Sequence, residues 1–512
     1  MTPTPLSLDG SALALDDVAA VARQARPVAL SDDAAARIRA ARAVIDRLAV
    51  GDEPVYGVNT GFGSLSRVRI EPADVIEVQR NLIRSHAAGV GEPLAADVVR
   101  AMLLILAASL ARGRSGVRVE TVQRILDLLN HDITPIVPSR GSVGASGDLA
   151  PLAHAALVLI GEGEAWVAAA TGERKAGSAA MRAAGLKPIT LQAKEGLALI
   201  NGTHLMAALG SLVVHDVRRL CAASMAAASM AVDACRASDA PFDARLHEAR
   251  GQAGQSTVAA AMRELLRGSQ IIVDHKEHDP RVQDPYCLRC LPQVLGAALD
   301  AVHFAAGIVE RELGGVTDNP LVFPETGEVV SGGNFHGMPL ALALDTFTIA
   351  VAHIAGIAER RINWLLAASD SENPVNLHLS PQPGLHSGLM IAQYTAAACC
   401  NEIQTLATPA SVANIPTSAG MEDYNSMGAT SGHQARVAVD LATNVIAIEL
   451  LVMAEAMEYQ RPLRSGAGVE AVYEMVRSVV PRLTEDRPPA PDIAAIARLI
   501  REGAFAGPAE AY

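Results

Sequence analysis

A chain of 512 residues is long enough for roughly three domains, or for fewer if long helices share one core. Half of its residues are apolar and only 3% are aromatic, with alanine runs throughout, so helices packed through small side chains are the expected architecture. A formal net charge of -13 argues against nucleic acid as the main partner. The opening residues, Met1 to Asp17, lack a basic segment followed by an apolar core, and every apolar run of membrane-spanning length is broken by a charge or a histidine. We therefore expect no signal peptide, no membrane partner and a cytoplasmic protein.

In chain order, residues 1 to 50 pass from a polar, proline-containing lead into helices, one of them from Ser31 to Leu48. The run Val55 to Gly63 holds three glycines and Asn59, which predicts an irregular loop around Tyr56, either a packing residue or a group delivered into a cleft. Asn81 to Gly89 carries Ser85-His86, and a lone histidine in such a segment reads as structural unless a site claims it. Helices are predicted over Val98 to Ala111 and Val119 to Leu129.

The run Arg140 to His154 then places Gly141, Gly144 and Gly147 at every third position. Such a run takes backbone conformations closed to most side chains and lets another backbone approach. Two readings fit its centre, Ala145-Ser146-Gly147. It could be a turn before a helix, with Asp148 near the N-terminus and Pro151 in the first turn. It could also cyclise, the Gly147 amide nitrogen closing on the Ala145 carbonyl carbon, whose oxygen leaves as one water, while the Ser146 hydroxyl leaves as a second, giving an electrophilic methylidene.

Asn201-Gly202-Thr203 ends an apolar run with a turn signal, and Ser211 to Arg236 reads as a long helix. Residues 238 to 285 read as connecting structure with one helix near Thr257 to Leu266. Gln283, Tyr286 and Arg289 bring amide, phenol and guanidinium within seven positions, which suits recognition of an amino acid, since a guanidinium holds a carboxylate through two parallel hydrogen bonds. A helix follows from Leu291 to Gly314, then a short hairpin around Glu325 to Glu328 and a second glycine-rich loop holding Phe335. Long helices are predicted over 338 to 368, 386 to 408 and 432 to 460, and one more in the tail. Six cysteines, including Cys287-x-x-Cys290 and Cys399-Cys400, make neither a disulfide framework nor a zinc site, because no second pair stands at similar spacing. Buried, inert thiols and no metal are expected.

The run Gly-Ser-Val-Gly-Ala-Ser-Gly-Asp-Leu-Ala-Pro-Leu-Ala-His, residues 141 to 154, closely resembles the signature of the aromatic amino acid ammonia-lyases. At least six separated motifs follow the family's order. The resemblance implies that Ala145, Ser146 and Gly147 become the prosthetic group 4-methylidene-imidazol-5-one (MIO), with no diffusible cofactor. It implies a mainly α fold, a bundle of long, near-parallel helices like that of the fumarase and aspartase superfamily, with an MIO-bearing N-terminal domain over 1–200 and the bundle and a C-terminal helical part over 201–512. It also implies a homotetramer with each site built from more than one subunit.

By the same resemblance Tyr56 is the catalytic tyrosine, and Asn201 stands beside the MIO group and substrate. Gln283, Tyr286 and Arg289 hold the carboxylate end, and Phe335 packs against the site. Ser85-His86 and Glu422 follow the histidine-type pattern, so L-histidine to trans-urocanate is the expected reaction. His204, Cys287, Met421, Tyr424 and the segment Asn376 to Leu379 depart from that pattern. The alternatives are an MIO lyase or aminomutase acting on tyrosine, phenylalanine or a histidine analogue, and a non-catalytic helical scaffold. The related fumarase-type enzymes are disfavoured because their Gly-Ser-Ser-x-Met-Pro-type loop is absent.

Overall fold

Alanine, leucine and methionine lose little side-chain freedom in a helix, and helices carry most of the regular structure. The computed structural model describes residues 4–51, 53–61, 68–71, 73–168, 172–276, 279–368 and 370–506. Phe62 and Gly63 of the glycine-rich loop lie outside these residues. The chain forms two units, each assembled from separated stretches. The first comprises Met1–His215, Ala306–Leu344 and Pro409–His433, and the second Asp216–Ala305, Asp345–Thr408 and Gln434–Tyr512.

Four helices dominate by length: His204–Ala234, Leu291–Glu312, Met338–Leu366 and Gly428–Gln460. The last, at 33 residues, runs about 50 Å. In the first unit these helices meet through small residues. A Cβ built on Gly428 would lie 2.4 Å from Met206 Sδ and 3.2 Å from Ala341 Cβ, so glycine there sets the closeness of three helices. Shorter helices complete the unit. Ser31 caps Asp32–Ala49 by accepting the Ala34 amide at 3.1 Å, with Asp32 and Asp33 in the first turn where acidic groups favour the helix dipole. Ala96–Ala111 is buried on every side from Val98 onward, which marks it as a core helix.

Strands are few and short, and all described ones belong to the first unit. Leu6–Leu8 pairs parallel with Val28–Leu30, and Val90–Pro93 pairs antiparallel with Pro138–Arg140. Ile133–Pro135, Glu164–Val167 and Glu173–Ala176 form an antiparallel sheet. The expected hairpin is Leu321–Phe323 against Glu328–Val330, with Phe323 opposite Glu328.

Some expectations need correction. Residues 238 to 285 carry three α-helices rather than one, Ala244–Arg250, Ala253–Leu265 and Gln270–Lys276, and the tail has two, Ala467–Arg477 and Ala490–Arg501. The missed seven-residue helices are too short to show an apolar period. Of the six cysteines, all free, only Cys221 and Cys235 are buried, so the picture of uniformly buried thiols does not hold. Burial pushes the Cys221 thiol up to about 12. Leu291–Glu312, Met338–Leu366 and Gly428–Gln460 are long and apolar enough in composition to cross a membrane, although each carries charge, and the apolar stretch of the last is 78% buried within the chain.

Candidate active site

Strand Pro138–Arg140 delivers the chain into the glycine run. Gly147 takes a left-handed conformation, φ 73°, and a Cβ built on it would lie 2.0 Å from the Gly202 carbonyl oxygen. No side chain fits there. The Asp148 amide donates to that oxygen at 2.7 Å, and the Gly202 amide donates to the Ser146 carbonyl at 3.4 Å. Ala145-Ser146-Gly147 is thus clamped, backbone to backbone, on the turn that holds Asn201.

Asp148 does not cap the helix it precedes. Its own helix, Leu149–Leu159, has no side-chain cap. Its Oδ2 instead accepts the amides of Leu205 (2.8 Å) and Met206 (3.0 Å) at the start of His204–Ala234, and its Oδ1 accepts the Ser142 hydroxyl at 2.7 Å. Complete burial pushes this carboxyl up to about 6, against the pull of those three hydrogen bonds. On the other side of the loop, the Met427 amide donates to the Val143 carbonyl at 2.9 Å and the Ser426 hydroxyl to the Gly144 carbonyl at 3.1 Å, just before Gly428–Gln460 begins. Three helix N-termini therefore surround the tripeptide, and each contributes partial positive charge. Ser142, Asp148 and Ser426 were not singled out from sequence as site residues. Their partners are far along the chain and leave no local signal.

Ser146 donates its hydroxyl to Glu422 Oε1 at 3.1 Å, and Glu422 Oε2 accepts from Thr417 Oγ1 at 2.9 Å. His86 ends the helix Val75–His86, where its Nδ1 meets the Leu82 carbonyl at 2.9 Å. A carbonyl only accepts, so Nδ1 carries hydrogen and the neutral ring keeps its lone pair on Nε2. Burial lowers the His86 pKa, while the Leu82 carbonyl and the charge of Glu422 oppose the shift. Glu422 is thus hydrogen-bonded to Ser146 and within electrostatic reach of His86.

Asn201 is the C-cap of Glu195–Ile200, buried, and its Oδ1 has no hydrogen-bond partner among the described residues. A buried unpaired acceptor beside the Ser146–Gly202 contact is costly unless a ligand group meets it. Tyr56 lies half-buried in its glycine-rich turn. Phe335, half-buried, precedes His336, whose Nε2 donates to the Tyr424 carbonyl at 2.9 Å. Met421 and Tyr424 are largely exposed.

Gln283, Tyr286 and Arg289 belong to the second unit. Gln283 and Tyr286 are exposed, and Arg289 stacks on the Tyr286 ring at 4.5 Å while donating Nε to the Asp284 carbonyl at 2.9 Å. Among the described residues, no group of three or more His, Cys, Asp or Glu is placed to hold a metal.

This chain belongs to the aromatic amino acid lyase family, whose family model matches residues 13–478. It is 50% identical over 505 residues to the histidine ammonia-lyase of Anaeromyxobacter dehalogenans, covering 98% of this chain and 99% of that one. Among solved structures it is similar to the histidine ammonia-lyase of Trypanosoma cruzi, with a TM-score of 0.91, 40% identity, and 99% and 96% of the two chains covered. It is also similar to the tyrosine aminomutase of Streptomyces globisporus, with a TM-score of 0.90, 37% identity and 98% of each chain covered.

Proposed function

We propose that this chain is a histidine ammonia-lyase, which eliminates ammonia from L-histidine to give trans-urocanate. The observation that carries the reading is the Glu422 carboxylate on the Ser146 hydroxyl, within electrostatic reach of His86. A carboxylate and an imidazole beside the reacting tripeptide suit a substrate ring that both donates and accepts hydrogen bonds. A plain phenyl group would leave them unpaired, at a cost on the order of a few kcal/mol.

The residues also fit an MIO group at Ala145-Ser146-Gly147. Gly147 has room for no side chain, the segment is pinned on both sides, and the unpaired Asn201 Oδ1 lies at the same turn. Once formed, the group supplies an electrophile that turns the substrate amine into a better leaving group. Tyr56 acts as the base for the β-hydrogen. A phenol has an ordinary pKa of ~10, so this role needs the positive helix ends around the loop. Arg289 holds the carboxylate, assisted by Asn201 and Tyr286, with Gln283 orienting it. Phe335 packs on the substrate side. We further propose a homotetramer whose sites draw residues from more than one copy.

Two measurements on the purified protein test this. Turnover of histidine, tyrosine and phenylalanine is expected to favour histidine by at least ~100-fold in kcat/KM, with urocanate and no β-amino acid as product. Intact mass is expected to show the loss of two waters, abolished by Ser146→Ala. A β-amino acid product would make the protein an aminomutase, and a full-mass, active chain would remove the electrophile altogether.

A further inference from the structure

The short helix Glu195–Ile200 connects several parts of the proposed site, and a fully buried ion pair fixes its start. Lys194, its N-cap, has φ 72° and ψ −24°, a left-handed conformation that residues with a Cβ seldom take. Its ammonium donates to Asp318 Oδ2 at 2.7 Å, with both side chains essentially inaccessible. The other oxygen, Asp318 Oδ1, accepts the Asn319 amide at 2.7 Å.

The first turn of this helix lies directly under the Tyr56 turn. A Cβ built on Gly57 would come within 2.5 Å of Leu197 Cδ2 and 3.5 Å of Lys194 Cδ. The Gly196 amide donates to Gln79 Oε1 at 2.8 Å, which ties the helix to Val75–His86 and so to His86. The far end is Asn201. One element therefore spaces Tyr56, His86 and Asn201, and the Lys194–Asp318 contact sets where that element begins.

Stability does not explain the pair. Burying two charges can cost as much as their attraction returns, and apolar replacements of similar volume are often neutral or stabilising. We propose that Lys194 and Asp318 are positioning residues for the elimination, holding the helix start so that the Tyr56 turn and Asn201 stay in register. This rests on the reading of Tyr56 as the base.

The test compares Lys194→Met/Asp318→Leu, Lys194→Arg, Asp318→Glu and Tyr56→Phe with the unaltered protein. The double variant is expected to fold, to melt no lower, and to keep the two-water mass loss. Its kcat should fall by on the order of 10- to 100-fold, because a displacement of about 1 Å costs that much. KM should change far less, since substrate is held by other residues. Lys194→Arg should restore most of kcat. A folded double variant with unaltered kcat overturns the proposal. Should the double variant not fold, Asp318→Glu decides, since it keeps both charges and shifts one by a methylene; unaltered kcat there overturns the proposal as well. Tyr56→Phe separates the two readings. If it keeps full activity, the base assignment falls and the pair's role with it. If it is inactive while the double variant is not, only the pair's role falls.

Discussion

His204 and Asp148 meet at the start of the helix His204–Ala234 and respond to pH in opposite senses. Burial pushes His204 down to about 3, and neither ring nitrogen has a hydrogen-bond partner among the described residues. In the unfolded chain the ring returns to its ordinary value of 6.5 and binds a proton below it. The stability this group contributes is therefore whole above pH 6.5 and is lost as pH falls toward 3, by about 2 kcal/mol at pH 5. Asp148 runs the other way. Its folded carboxyl stays protonated up to about 6 while the unfolded one ionises near 3.8, so its contribution is present at low pH and lost as pH rises through 6. Replacing His204 leaves Asp148 in both proteins. The unfolding free energy of His204→Gln relative to the unaltered protein should accordingly shift by about 2 kcal/mol in the variant's favour between pH 7.5 and pH 5, measured by urea unfolding. A difference that stays constant with pH would mean that the ring is hydrated or already protonated in the folded chain. From sequence, His204 was visible only as a departure from a motif. Its burial follows from helix packing that no short window contains.

At the scale of elements, close helix crossings depend on glycine where backbone meets backbone. A Cβ built on Gly296 would lie 2.3 Å from the Gln255 amide nitrogen and 2.6 Å from the Gly254 carbonyl carbon, where Ala253–Leu265 crosses Leu291–Glu312. Neither atom is a flexible side-chain end, so Gly296→Ala must push the helices apart and should cost about 2 kcal/mol. Gly307 stands on the same helix, and a Cβ there meets only Arg311 Nη1, at 3.4 Å. Gly307→Ala should be neutral or stabilise by up to about 1 kcal/mol through helix propensity. Denaturant unfolding should show a loss of stability for Gly296→Ala and none for Gly307→Ala if this crossing limits packing, and similar changes in both if it does not. The longest helices were legible because an apolar pattern persists over many turns: Gly428–Gln460 and Met338–Leu366 begin and end within a few residues of expectation. Boundaries set by tertiary contact were not. His204–Ala234 starts seven residues before the predicted Ser211, because Asp148, distant in sequence, caps its first amides.

For the whole molecule, the motifs proposed for the site are legible where they are contiguous in sequence, and the contacts between distant residues are not. The glycine run, the Asn-Gly turn and the Gln283–Arg289 cluster are each contiguous, whereas Ser146 and Glu422 stand 276 positions apart and Lys194 and Asp318 124 apart. The surface adds a further requirement. Met390–Leu406 buries only Ala392, Ala396 and Ile403, leaving Ile391 and Tyr394 more than half exposed. Phe304 on Leu291–Glu312 and Leu342 on Met338–Leu366 are likewise more than half exposed. We propose that these outward apolar side chains lie in association surfaces, which a closed symmetric assembly of identical chains would cover. If that assembly is a tetramer whose sites combine Ser146 of one copy with Arg289 of another, two inactive proteins should repair each other. Ser146→Ala and Arg289→Ala, unfolded together and refolded as a mixture, should regain activity that neither regains alone, because some sites then draw an intact residue from each parent. Light scattering on the same samples should give one tetrameric mass for both parents and for the mixture. If the refolded mixture is tetrameric and as inactive as its parents, every copy carries its own complete site, and Arg289 must then serve the Ser146 of its own chain.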